Sequence, residues 1–265
     1  MTKQFVVFSD LDATLLDHHD YSFDAANEAL TQLKSLNIPL VLNSSKTMAE
    51  MNQIRTKLDN HHPFIIENGG ALIIPPHYFG NVAGEMMNFS TEYKTILQTL
   101  SALKDKGFKF RNFDSLSANE VRGLTNLSEA DAKLAKQRFA SEPLLWDDTE
   151  QQLQRFTQEI DQQQLKLIKG GRFYHVIGLF NKGDAIIKAR TLFDKKYPDK
   201  KIVTIGLGDS PNDLPMLAAV DIAIVIKSGR LAEMQLNRND AIISKLEGPA
   251  GWNEEILTLL EQQGI

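Results

Sequence analysis

The chain has 265 residues, 42% of them hydrophobic and 24% charged, with a net charge of −5. It is long enough for one large core or two moderate ones, and its acidic balance argues against nucleic-acid and anionic-membrane partners. The absence of cysteine excludes disulfides, thiolate metal sites and cysteine nucleophiles; no apolar segment is long enough to span a bilayer and no signal-peptide pattern opens the chain, so the expected location is cytoplasmic.

Phe5 to Phe8 is a short continuous apolar run that predicts a buried parallel strand. It breaks at Ser9 into Asp10-Leu11-Asp12-Ala13-Thr14. Two acids after a buried strand lose hydration and repel each other. A dication would relieve both costs, and Mg²⁺ favours one or two carboxylates with phosphate oxygens and water. A carboxylate can also attack phosphorus directly. A polar turn facing water is the alternative at this point. Ala25, Ala26, Ala29, Leu30, Leu33 and Leu36 then keep helical spacing. Ile38 to Leu42 predicts the next strand, ending in Asn43-Ser44-Ser45-Lys46, and Thr47 with Glu50 forms a capping box for a helix to about Leu58. Hydroxyls and free N–H groups at such a junction suit phosphate oxygens, although helix capping alone also accounts for them. Phe64 to Ile66, Glu67-Asn68-Gly69-Gly70 and Ala71 to Ile74 predict a hairpin.

From about Gly84 the pattern changes. A helix ending near Gly107, a short strand at Phe108 to Phe110 and a helix from Ser128 to near Phe139 are expected. Leu144 to Trp146 reads as a strand, and Leu153, Phe156 and Ile160 mark a further helix. A second hairpin is expected around Gly170-Gly171. The α/β pattern returns at Asn181-Lys182-Gly183-Asp184, which opens a helix and places a cation against its dipole. A strand at Ile202 to Ile205 runs into Gly206-Leu207-Gly208-Asp209-Ser210-Pro211-Asn212-Asp213. One more strand at Ile222 to Ile226 and a closing helix through Leu260 complete the chain. The expected architecture is α/β: a Rossmann-like, doubly wound, mainly parallel sheet formed by residues 1–84 and 179–265, with an α+β cap inserted at 85–178.

Asp10/Asp12, Ser44/Ser45, Lys182 and Asp209/Asn212/Asp213 all stand at predicted strand ends or helix starts, the edge where open α/β sheets bind ligands. Their order resembles the haloacid dehalogenase superfamily of phosphatases, carried by Asp10-Leu11-Asp12-Ala13-Thr14 and the Gly206–Asp213 segment. That superfamily usually has Gly where this chain has Ala13. Segments at 44–47, 67–70, 138–143, 170–175 and 247–253 are further similar to the mannosyl-3-phosphoglycerate phosphatases, and together they reach across most of the chain.

The resemblance implies a Mg²⁺-dependent phosphatase in which Asp10 forms an aspartyl-phosphate and Asp12 serves as general acid and base. Mg²⁺ would be held by Asp10, the Asp12 backbone carbonyl and Asp209. Asn212 and Asp213 would order its waters and Lys182, while Ser44 and Lys182 bind phosphoryl oxygens. Ser45, Lys46 and Asn68 are expected in the substrate site, with Arg172 on a carboxylate and Glu142 or His175 on sugar hydroxyls. The implied partner is a small phosphorylated sugar or glycosyl phosphoglycerate. Mannosyl-3-phosphoglycerate, giving the compatible solute mannosylglycerate, leads over glucosyl-3-phosphoglycerate or a general sugar phosphate. A phosphosugar mutase or a non-catalytic binding module are the other classes, and retention of both Asp10 and Asp12 weighs against the last.

Overall fold

The structure, a computed structural model, describes residues 2–125, 127–170 and 172–264. The first part of the chain forms β1 (Thr2–Ser9), α1 (Asn27–Ser35), β2 (Leu40–Asn43), α2 (Met48–Leu58), β3 (Phe64–Ile66), β4 (Ala71–Ile74) and β5 (Glu85–Asn88). An inserted stretch contributes α3 (Tyr93–Asp105), β6 (Phe110–Asn112), α4 (Ala118–Thr125), α5 (Glu129–Ala135), β7 (Ser141–Trp146), α6 (Glu150–Gln162), β8 (Lys166–Lys169) and β9 (Tyr174–Ile177). The remainder forms α7 (Lys182–Lys196), β10 (Lys200–Gly208), α8 (Leu214–Ala219), β11 (Ile222–Lys227), β12 (Ile242–Glu247) and α9 (Gly248–Gln262).

The large sheet has the order β12-β11-β10-β1-β2-β3-β4-β5. It is parallel from β12 to β3, and β4 and β5 add on antiparallel. This is the α/β core expected from the sequence. Successive side chains of β1 point to opposite faces, so the unbroken apolar run serves two cores. Val7 packs with Leu42, Leu207 and Trp252 on one face, and Val6 and Phe8 pack with Val41, Ile186 and Phe193 on the other. Each fully buried side chain of this size contributes about 1.5–3 kcal/mol. Two strands were not anticipated. β5 extends the large sheet to Asn88, four residues past the expected boundary at 84, and β12 forms its opposite edge.

The inserted stretch builds a separate antiparallel sheet, β6-β7-β9-β8. Ile96 and Leu100 of α3 and Phe156 and Ile160 of α6 close its core over Leu144 and Val176. β8 and β9 pair antiparallel as the second expected hairpin; Gly171, named in that expectation, lies outside the described residues. α4 is not among the elements expected from the sequence, although Ser117 and Glu120 cap it reciprocally through backbone bonds of 2.7 and 3.3 Å.

The cap rests on the carboxyl edge of the large sheet through residues 134–141. Glu67, fully buried at the end of β3, accepts from the N–H groups of Phe139, Ala140 and Ser141 at 3.0, 3.1 and 2.8 Å. Ser141 Oγ donates to the same carboxylate at 2.9 Å. Arg138 Nη2 likewise donates to the Ser45 carbonyl at 2.6 Å, and in the other direction Thr47 Oγ1 donates to the Leu134 carbonyl at 3.0 Å. α5 stops at Ala135 rather than near Phe139: the Gln137 and Arg138 N–H groups turn back onto the Leu134 and Lys136 carbonyls, and those of Phe139, Ala140 and Ser141 bond across the interface to Glu67. Among the described residues, no helix is long and apolar enough to cross a membrane.

Candidate active site

Four chain segments converge where β1, β2 and β10 end. β1 and β10 pair from Thr2↔Lys200 to Ser9↔Leu207, so Asp10 and Asp209 both emerge just past the last paired residues, Asp209 one residue further along. The Asp10 N–H continues the ladder to the Leu207 carbonyl at 2.9 Å. Trp252, buried in α9, donates from its indole to Ser9 Oγ at 3.0 Å, and Ser9 Oγ donates to the Asp10 carbonyl at 2.7 Å. The nucleophile candidate is thereby fixed from behind. Ala13 holds a φ of 59°, in the left-handed region. That explains the glycine usual at this position in the superfamily; alanine accepts it at a cost of about 1 kcal/mol.

Lys182 enters from the first turn of α7. Its helix is capped reciprocally by Asn181 and Asp184, and it is pressed close to the 67–70 turn. A Cβ on Gly69, whose φ is +99°, would lie 2.1 Å from the Asn181 carbonyl oxygen, so only glycine fits there. Lys182 Nζ lies 2.7 Å from Asp10 Oδ1 and 2.6 Å from Asp213 Oδ1, with all three side chains buried. Burial alone would discharge the lysine, but Asp10 and Asp213 outweigh it and hold the ammonium charged. Asp213 Oδ2 accepts from the N–H groups of Asp209 and Ser210, both at 3.1 Å. Asp213 therefore orients both the lysine and the 209–210 backbone.

Carboxylate oxygens of Asp10, Asp209 and Asp213 lie within 4.8 Å of one another. Burial first, and then Asp213, push Asp10 up to about 8 against the pull of Lys182. Burial and Asp213 likewise push Asp209 up to about 7, against Arg230. A group of hard oxygen donors strained by its own charge fits a divalent cation such as Mg²⁺. Asp10 and Asp209 are the carboxylates best placed to hold it, since Asp213 is already engaged by Lys182 and two backbone donors. The Asp12 side chain does not join this group; it turns to Lys46, whose Nζ lies 2.9 Å from Asp12 Oδ1. Burial opposes the charge on Lys46, yet Asp12 and Glu50 hold its affinity for the proton above the usual lysine value.

The cavity here, of about 130 Å³, brings together Asp10, Asp12, Ser45, Lys46, Arg172 and His175. Ser44 is buried beneath it, and its Oγ accepts the Lys46 N–H at 3.3 Å. Arg172 is exposed at the rim and uses one N–H on the Leu124 carbonyl, at 2.8 Å. His175 is 6% exposed. Burial, followed by the charges of Arg138 and Lys182, lowers it to about 3, so its imidazole is neutral. Two expected site residues stand away from this cavity. Glu142 is fully buried, and its carboxylate accepts from Tyr93 Oη, Asn112 Nδ2 and the Asp114 N–H at 2.6, 2.8 and 2.6 Å. With three donors on it, it braces the cap sheet and has no face toward a sugar. Asn68 accepts from Asn212 Nδ2 at 3.0 Å and lines a neighbouring cleft instead.

Two residues outside the set expected from the sequence matter here. Arg230 lines the cavity and lies 3.1 Å from Asp209 Oδ2, partly neutralising the acid group. Nothing in its loop sequence signals that contact. Glu67 sits in a segment noted for its hairpin glycines, and only the tertiary structure shows what its carboxylate holds.

The haloacid dehalogenase-like hydrolase family profile matches residues 7–235, and the chain belongs to that family. It is 37% identical to a glucosyl-3-phosphoglycerate/mannosyl-3-phosphoglycerate phosphatase of Persephonella marina, over 97% of both chains. It is 38% identical to a protein of the same description from Methanococcoides burtonii, over 96% of this chain and 97% of that one. A solved haloacid dehalogenase-like hydrolase from Bacteroides thetaiotaomicron, 16% identical, has the same fold, with a TM-score of 0.69 over 97% of this chain and 99% of that one.

Proposed function

We propose that this hydrolase is a Mg²⁺-dependent phosphatase acting on glycosyl-3-phosphoglycerates, both the mannosyl and the glucosyl ester. The observation that carries the phosphatase reading is Lys182, buried between Asp10 and Asp213 beside a three-carboxylate group. The substrate reading is supported by the two relatives, whose description names both esters.

In the proposed reaction an Asp10 carboxylate oxygen attacks phosphorus in line, and the phosphorus–oxygen bond to the glycerate breaks. Asp12 gives its proton to the departing oxygen, then takes one from the water that hydrolyses the aspartyl-phosphate, returning Asp10 and releasing phosphate. Lys182 and the Ser44–Ser45 segment bind phosphoryl oxygens, the lysine as a point charge. A bound Mg²⁺ supplies neutralisation of charge on those oxygens. The cap excludes water and reads the organic part of the ester.

A substrate panel tests this reading. Both glycosyl-3-phosphoglycerates should be hydrolysed with a higher kcat/KM than p-nitrophenyl phosphate; the reverse order would refute the assignment. Arg172 is the cation placed to meet the glycerate carboxylate from the rim. Because it is exposed, the contact is worth less than a buried charge pair, about 1.4 kcal/mol. Arg172→Ala should therefore lower kcat/KM for the glycosyl esters, relative to p-nitrophenyl phosphate, by roughly tenfold. An equal fall on both esters would show that Arg172 serves the phosphate or the fold.

A further inference from the structure

The catalytic cavity does not end at Lys46. A second cleft of about 210 Å³ adjoins it, and the two share Tyr21, Lys46, Glu50 and Leu127 as common wall. This outer lobe is bounded by the loop leading to Phe23, by one face of α2 and by the cap at Leu127 and Asp131. Glu50, Gln53, Ile54 and Lys57 line it, and their spacing of i, i+3, i+4 and i+7 places them on a single helix face. Glu50 is buried and Ile54 half-buried, while Gln53 and Lys57 stand exposed toward the mouth of the lobe.

We infer that this lobe receives the glycosyl ring of the substrate, with Gln53 in its wall; the inference rests on the substrate class proposed above. Charge selects the kind of group it takes. Asp20, Glu50 and Asp131 face the lobe, whereas its cations are Lys57 and Lys46, the latter already paired with Asp12. A second phosphate or carboxylate would be repelled there, while a neutral group rich in hydroxyl donors is favoured. Hydrogen-bonding capacity is also in place. Glu50 accepts from Thr47 through Oε2 alone, Asp131 from Ser128 Oγ through Oδ2 alone, and Asp20 from the Ser22 N–H through Oδ1 alone. Among the described residues, Gln53 and Lys57 make no side-chain hydrogen bond. Leu16, Phe23 and Ile54 supply apolar surface for the C–H faces of a pyranose ring. Apolar walls with a few hydrogen-bonding groups are the usual lining of a small-molecule site.

The hydroxyl partners on α2 are long, rotatable side chains. Such partners can follow a hydroxyl in either configuration, so the lobe fits glucosyl and mannosyl esters alike. The division of labour is then clear. The inner cavity, lined by Asp10, Lys46 and Arg172, holds the phosphate and carboxylate, and the outer lobe holds the sugar.

Gln53→Trp fills the lobe from an exposed helix position without touching the acid group, and Gln53→Ala removes its hydrogen bonds. The readout is kcat/KM for each glycosyl-3-phosphoglycerate divided by that for 3-phosphoglycerate, which keeps the phosphate and carboxylate and lacks only the ring. p-Nitrophenyl phosphate replaces 3-phosphoglycerate if that ester turns over slowly, and thermal melts confirm folding. Gln53→Trp should lower the ratio by tenfold or more for both glycosyl esters, and Gln53→Ala by a smaller factor. An unchanged ratio, or an equal fall in numerator and denominator, overturns the lobe assignment while leaving the substrate reading intact. A parent enzyme inactive on both glycosyl esters overturns the substrate reading, and the lobe with it.

Discussion

Asp10→Asn is expected to lower phosphate release by on the order of a thousandfold or more, because the amide keeps the shape and loses the nucleophile. The same change should not destabilise the metal-free protein. Burial and Asp213 raise the Asp10 carboxyl from 3.8 to about 8 in the folded state. Between those values the folded state binds a proton that the unfolded state has released. The stability this group contributes is thus lost as pH rises through that window. Asparagine carries no such liability, and Lys182 keeps its bond to Asp213. Near pH 8, Asp10→Asn should melt at or above the parent temperature while being inactive. Substantial residual turnover would remove Asp10 from the nucleophile role.

Lys182→Met should be the opposite case, costing both activity and stability. Methionine fills much of the same volume and leaves Asp10 and Asp213 facing each other without a cation. Breaking a buried ion pair by deleting one partner costs about 3–5 kcal/mol. Asp10 can escape part of this by taking up a proton, so the deficit should be larger at pH 8 than at pH 5. Thermal melts at the two pH values, in chelator, measure it. The double variant with Asp10→Asn should recover part of the loss, since it removes one of the stranded charges. A metal-free Lys182→Met as stable as the parent at pH 8 would contradict the electrostatic account of the site.

The parts of this molecule that were legible in the sequence are those written in short segments. The buried run at Phe5–Phe8 followed by Asp10 and Asp12, the Thr47/Glu50 capping box, the helix start at Asn181–Asp184 and the glycine-bounded Asp209–Asp213 turn each declare themselves within about ten residues. Lys182 looked misplaced at a helix start, and its two carboxylate partners explain it. What was not legible depends on partners distant in the chain. The extended stretch after α5 is held by Glu67, which takes backbone donors more than seventy residues away. Arg230 gains meaning only from Asp209. Glu142 read as a polar residue available to a sugar, whereas Tyr93, Asn112 and Asp114 saturate it inside the cap. β5 and β12 escaped notice because they are edge strands, which have weaker apolar patterns than central parallel ones. α4 was signalled by its capping box alone, since its eight residues bury only Val121 and Thr125.

The central claim is that phosphate passes through Asp10. Mixing the Mg²⁺-loaded enzyme with substrate, quenching in acid within the first turnover and mapping the peptides by mass spectrometry tests it directly. The account predicts one phosphoryl group on Asp10, absent from Asp10→Asn and lost on chase in native buffer as free phosphate appears. Phosphate release at full rate with no label on Asp10, or with the label on another residue, would contradict it.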